Sequence, residues 1–60
     1  MKRTSDTTLL NWMYDKRVSL VFNDKFDMWE AVALDGLSER SRTARNALIR
    51  LRETMHALAH

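Results

Sequence analysis

The residues of this chain whose type and spacing suggest a chemical role are its arginines. Residues 37–52 contain five arginines and one glutamate, a net charge of +4, whereas residues 20–36 contain one lysine and four acidic residues, a net charge of −3. Arginine is the cation best suited to recognising phosphates and base edges. Lys16 and Arg17 add two further cations. The uneven distribution therefore predicts an anionic partner, although the whole chain carries only +2.

Two pairs of residues could act as general acid and base, but their sequence spacing does not place either pair in a pocket. Asp24 with Asp27, or Glu30 with His56, would be acid–base pairs, yet a chain of 60 residues has little room for a cleft. His56 and His60 are the only histidines and there is no cysteine, so the sequence offers no convincing set of metal ligands. We therefore predict that the chain is not an enzyme and has no cofactor, no metal and no small-molecule substrate.

The arginines must be positioned by a small set of elements, of which residues 17–24 are the clearest. This stretch alternates as a β-strand does, with Val18, Leu20 and Phe22 on one face. The other face carries Arg17, Ser19 and Val21. The chain from Asp24 onward has helical character, so the sequence predicts a single strand with no partner of its own. Because an unpaired strand leaves backbone groups open, a second copy of the strand is the simplest partner.

Two helices are expected after this strand. Asn23 is a plausible N-cap and Gly36 a C-cap for a first helix over residues 24–35, with Phe26 and Trp29 on its apolar stripe. A last helix begins at Ser41 or Thr43, with Ser41 slightly preferred, and continues to about Leu58. The hydrophobic content of 45% with one glycine and no proline favours a compact fold. Such a short chain without disulfides is expected to oligomerise.

The N-terminal segment is expected to serve as an arm. Residues 1–15 are predicted to be partly flexible, with Lys2 and Arg3 as candidates for reaching a nucleic-acid groove. Residues 9–14 are too apolar for a free tail, and either one helical turn capped by Thr7 or Thr8 or an extended segment would pack them. Residues 16–60 are then the functional domain. No apolar run has the length of a membrane span and no signal peptide is evident, so we predict no membrane partner.

The order strand, helix, short connection and longer helix resembles the ribbon-helix-helix family of DNA-binding proteins, the Arc and methionine repressor superfamily. Phe22-Asn23-Asp24-Lys25-Phe26 stands where that family usually has apolar-Pro-Asp-Glu-Leu, and Glu39-Arg40-Ser41-Arg42-Thr43 is similar to the opening of its second helix. The resemblance implies a mostly α fold with one strand and two helices per chain. It also implies an intertwined homodimer with a two-stranded antiparallel ribbon.

The resemblance further implies a sequence-specific protein that binds double-stranded DNA. The ribbon would enter the major groove, where Arg17, Ser19 and Val21 would contact bases. Phosphate contacts would come from the start of the second helix and from the cation before the strand, namely Ser41, Arg42, Thr43 and Lys16. The implied role is that of a small transcriptional repressor in the cytoplasm of a prokaryotic host, associated with the nucleoid or encoded by a virus or plasmid.

One alternative of another class stays open. The chain would then be a small helical protein-interaction module, or an antitoxin-like dimer whose helices bind a protein. Binding to DNA that weakens steeply as salt rises would favour the DNA-binding hypothesis, since a helical interaction module should not bind DNA at all.

Overall fold

The structure is a computed structural model that describes residues 4–59. Its elements are α1 (Asp6–Lys16), β1 (Ser19–Asn23), β2 (Met28–Val32), β3 (Ser38–Ser41) and α2 (Ala44–Leu58). The strands form one antiparallel sheet in the order β1-β2-β3, a meander of two hairpins. Lys2, Arg3 and His60, which figured among the sequence candidates, lie outside the described residues.

The prediction of a mostly α, ribbon-helix-helix fold with one strand per chain is wrong. The chain is α+β with three strands, and β1 pairs with β2 of the same chain, so no second copy is needed to complete a ribbon. The helix expected over residues 24–35 is replaced by a turn and by β2. The intertwined arrangement that followed from a lone strand is therefore not the architecture of this protein.

Local hydrogen bonds explain why a hairpin forms there. The Asn23 side-chain oxygen accepts from the backbone amides of Lys25, at 3.0 Å, and Phe26, at 3.4 Å, and so closes a turn instead of capping a helix. Asp27 then adopts a left-handed backbone with φ of 54°, which an aspartate tolerates better than most residues and which interrupts a helix. The sequence Met-Trp-Glu-Ala-Val that follows forms β2, with Trp29 and Ala31 on one face and Met28, Glu30 and Val32 on the other.

The second hairpin uses the same chemistry. The Asp35 side-chain oxygen accepts from the Leu37 amide at 3.0 Å, and Gly36 has φ of +93°, which favours glycine. Ala33 donates its backbone N–H to the Leu37 carbonyl at 2.8 Å, which closes the loop between β2 and β3. Gly36, expected as a helix C-cap, is therefore a hairpin residue.

Helix α1 occupies most of the segment predicted as an arm. Ser5 caps it by accepting from the Thr8 amide at 3.2 Å. At the other end, Arg17 donates its amide to the Tyr14 carbonyl and Val18 donates to the Met13 carbonyl. These two bonds form a Schellman motif with Arg17 in the left-handed position, at φ of 54°. The motif directs the chain straight from α1 into β1.

Helix α2 confirms the prediction of a last helix that continues to Leu58. Its N-cap is Thr43, which accepts from the Asn46 amide at 3.1 Å, and not the slightly preferred Ser41. Both helices lie on one face of the sheet. The core consists of buried side chains from α1, β2 and α2 and from the residues next to β1 and β2, namely Leu9, Val18, Ala31, Ala33, Ala47, Leu48 and Leu51, with Trp12, Leu20 and Trp29 packed against it.

Candidate functional site

Among residues 4–59, no helix or strand covers the face of the sheet opposite the helices. Strand pairing places Leu20, Trp29 and Ala31 toward the helices, because they contribute to the core. Their neighbours along each strand must point the other way. We call this surface the open face, and it comprises Ser19, Val21 and Asn23 of β1, Met28, Glu30 and Val32 of β2, and Ser38 and Arg40 of β3.

The middle row of the open face combines three kinds of side chain. Val21 lies opposite Glu30, and Glu30 lies opposite Arg40, so the three form one line across the sheet. The Arg40 Nε lies 3.7 Å from Oε2 of Glu30. Both side chains remain partly exposed, at 43% and 21%, so the ion pair adds little stability. The ion pair holds the hydrogen-bond donors of Arg40 beside the acceptor oxygens of Glu30.

An exposed aromatic ring stands at one end of this row. The Arg40 guanidinium lies 4.4 Å from the centre of the Phe26 ring, and the Lys25 ammonium lies 6.0 Å from it. Phe26 is half exposed although it is a large apolar residue. A cation stacked on an aromatic ring is held in place without losing its charge. The first hairpin turn, with Lys25 and Phe26, and β3, with Arg40, therefore present two cations and one ring at the rim of the open face.

Of the three residues predicted to contact bases, two lie on this surface, and Arg17 precedes it in the chain. Ser19 and Val21 are exposed on the open face of β1, and Val21 retains 49% of its accessible area. Arg17 precedes the strand and is exposed, although its backbone belongs to the end of α1 and not to β1. The alternation predicted from the sequence is confirmed for Val18, which is buried, and for Leu20, which packs against the core. Phe22 points to the helix side but remains 44% exposed beside Trp29.

The residues predicted to contact phosphate are divided between two positions. Lys16 ends α1 and is exposed next to β1, whereas Arg42 and Thr43 are exposed between β3 and α2. Ser41 is only 9% exposed, because strand pairing directs it to the helix side. The Thr43 hydroxyl already accepts from the Asn46 amide. Lys16 and Arg42 are therefore the freely accessible members of the group.

Sequence reasoning missed the contribution of β2 and β3 to this surface. Glu30, Arg40 and Phe26 were assigned to a helix or to its connection, and only the sheet brings them beside Val21. A signal was present in residues 28–33, where Trp29, Ala31 and Ala33 occupy every second position and the polar residue Glu30 lies between the first two. The same residues also fit a helical stripe, so periodicity alone did not decide between them.

Two grooves lie on the helical side. One, of about 810 Å³, lies between the C-terminal halves of the helices, beside Trp12, Lys16 and Arg52. The other, of about 220 Å³, is mostly apolar and lies between α1, α2 and β1, beside Leu10, Leu20 and Leu48. Among residues 4–59, no group of three or more histidine or acidic side chains is arranged to hold a metal ion.

Neither described helix is long and apolar enough to cross a membrane. Comparison of the chain with protein-family models, curated proteins and solved structures finds no match. The functional conclusion therefore depends on the geometry of the open face and on the charges around it.

Proposed function

We propose that this chain binds double-stranded DNA and that the open face reads base edges in the major groove. Neighbouring strands lie about 4.8 Å apart, so the outer strands of a three-stranded sheet are about 10 Å apart. The major groove is about 12 Å wide and admits β-structure. The uncovered face of this sheet therefore has a suitable width to enter the groove.

The middle row of the open face is the observation that supports this function. Arginine pairs with the O6 and N7 acceptors of guanine, whereas glutamate accepts from the N4 amine of cytosine. Arg40 and Glu30 are held 3.7 Å apart at their nearest atoms, side by side on one face, so together they match the two halves of one G·C pair. Val21 in the same row offers an apolar contact to a thymine methyl.

The remaining base contacts are those expected from the sequence. Ser19 lies beside Val21 on the exposed side of β1, and Arg17 precedes the strand with five hydrogen-bond donors. Phosphate contacts would come from cations attached to both edge strands: Lys16 before β1, and Arg42 with Thr43 after β3. Cations beside both edges can meet the two phosphate backbones that border a groove. A DNA-binding protein of this kind would act as a small repressor in the cytoplasm of a prokaryotic host.

A second candidate function, a protein-interaction module, is favoured by the apolar part of the same surface. Val21 and Phe26 are half exposed, and Met28 and Val32 are partly exposed on the open face. A protein partner would cover these side chains without requiring Arg40 to leave Glu30.

The experiment begins with selection of bound sequences from random duplexes, followed by titration of the best sequence at two salt concentrations. We expect affinity to fall steeply with salt, and Arg40→Gln to weaken binding to the selected site tenfold or more. Arg52→Gln is the matched control, because it removes the same charge from the groove between the helices, away from the open face.

Equal losses for Arg40→Gln and Arg52→Gln would show that only net charge matters and that the open face does not read DNA. Absence of binding even at low salt would exclude the function and leave the protein-interaction module. Glu30→Gln gives a further check, since it should change the preferred base at one position of the site while keeping affinity within a few fold.

A further inference from the structure

We infer that two copies of this chain associate through the outer edge of β1, with Phe22 of each copy entering the 220 Å³ groove of the other. Such a pairing would join two complete three-stranded sheets into one, edge to edge. It differs from the intertwined dimer expected from the sequence, because each core here is closed within its own chain. It concerns the strand edge and does not depend on DNA binding.

The hydrogen-bond pattern identifies which backbone groups are available at this edge. Ala33 donates to Leu37, so alternate residues of β2 bond to β3 and the residues between them bond to β1. Glu30 is then bonded to Val21, which leaves the N–H and C=O groups of Leu20 and Phe22 directed outward. Within residues 4–59 the strand order gives β1 no neighbour on this side.

The opposite edge of the sheet is partly protected, because a side chain of α2 contacts it and its strand is charged. The same alternation directs the Arg40 carbonyl outward from β3, and the Arg50 side chain of α2 donates to it at 3.5 Å. β3 also carries two charged side chains, whereas β1 has the uncharged sequence Ser-Leu-Val-Phe-Asn. Natural edge strands are usually blunted by charge, proline or a covering element. β1 has none of these within its own residues.

One antiparallel register uses the outward N–H and C=O groups of both Leu20 and Phe22. With Val21 opposite Val21 of the second copy, Leu20 of each chain exchanges hydrogen bonds with Phe22 of the other. The Val18 amide is not required, and it is already bonded to the Met13 carbonyl. Both partners present the same surface, as a two-fold interface demands.

The side chains on the helix side complete the fit. Leu20 lines the small apolar groove together with Leu10 and Leu48. In this register Phe22 of the second copy lies opposite Leu20, on the same face, and therefore over that groove. Phe22 and Leu10 are 44% and 49% exposed in the single chain. Two copies are therefore complementary: the Phe22 ring of each fits the groove of the other, and their free strand edges pair.

The test is sedimentation equilibrium of the full chain, without DNA, over a range of concentrations. We expect reversible association, weakened tenfold or more by Leu10→Lys, which places a charge in the groove at an exposed position. Tyr14→Lys is the matched control, because Tyr14 lies one turn further along α1, is 78% exposed and does not line the groove. Circular dichroism of each variant verifies that the monomer is folded.

A second variant tests the strand edge itself. Chemical synthesis with an N-methyl group on Phe22 removes one outward donor, and N-methylation of Arg40 does the same at the protected edge. Association should be lost with the first and retained with the second. A chain that stays monomeric at the highest concentration, or one that responds equally to Leu10→Lys and Tyr14→Lys, would overturn the inference. Loss of association only on N-methylation of Arg40 would assign the contact to β3. None of these results bears on DNA binding.

Discussion

Arg17 has two separate roles that a single substitution can distinguish. Its backbone occupies the left-handed position of the Schellman motif at the end of α1, where glycine is the preferred residue. Its exposed side chain is a proposed base contact. The backbone role concerns stability, whereas the side-chain role concerns DNA.

We predict that Arg17→Gly stabilises the fold by up to about 1 kcal/mol, because it relieves the cost of a left-handed non-glycine residue. The same change should weaken binding to the selected DNA site by about 1–3 kcal/mol. Thermal melting and DNA titration of one protein sample measure both effects. Lys16→Gly is the control: it lies in the last helical turn, where glycine should destabilise. A loss of stability in Arg17→Gly would contradict the assigned motif.

The structure differs most at the first hairpin from the helix that the sequence predicts over residues 24–35. Asp27 has φ of 54°, whereas Asp24, in the same turn, is not in the positive-φ region. A glycine substitution therefore has opposite effects at the two positions. In a helix over residues 24–35, both substitutions would destabilise.

We predict that Asp27→Gly raises the melting temperature and that Asp24→Gly lowers it. Glycine at a left-handed position removes backbone strain, whereas elsewhere it only adds entropy to the unfolded chain, a cost of roughly 0.5–1 kcal/mol. Differential scanning calorimetry of the two variants provides the comparison. If both variants melt at a lower temperature than the parent, the turn does not have the described conformation.

The elements that could be predicted from the sequence are those with a strong local signal. β1 alternates clearly, and the last helix has regular apolar spacing, so both were located to within a few residues. Residues 28–33 satisfy both a helical and a strand pattern, and only pairing with β1 and β3 decides between them. The sequence therefore predicted correctly that Arg17, Ser19 and Val21 are exposed. It did not place Arg40 and Glu30 on the same surface as Val21.

At the scale of the whole molecule, the proposed edge pairing and the proposed groove binding would compete for β1. Two sheets joined at β1 would span about 24 Å, which is twice the width of the major groove. The open face of a single chain is narrow enough to enter the groove, but that of the pair is not.

We therefore predict that the selected DNA duplex dissociates the paired form into single chains, each bound to DNA. Mass action requires the converse as well, so apparent affinity for DNA should decrease as protein concentration rises into the range of association. Sedimentation velocity with labelled DNA measures the mass of the complex. A complex that contains two chains paired through β1 would show that the two forms of binding are compatible.

The contact between the helices has a kinetic consequence. Arg45 of α2 donates to the Asp6 carboxylate at 3.1 Å and to the Thr4 carbonyl, across 39 and 41 residues of sequence. The strands, in contrast, are joined by short turns. Contacts that close long loops are costly to form early, so the meander and α2 are expected to assemble before α1 docks.

Stopped-flow measurements should then assign different rates to two mild substitutions. Leu9→Val, in α1, should mainly accelerate unfolding, whereas Ala31→Gly, in the central strand, should mainly slow folding. If the two substitutions changed the folding and unfolding rates in the same proportion, late docking of α1 would be contradicted. Helix α1 comes first among the described elements, and it would be the last to dock, because Arg45, which anchors it through Asp6, lies 39 residues further along the chain.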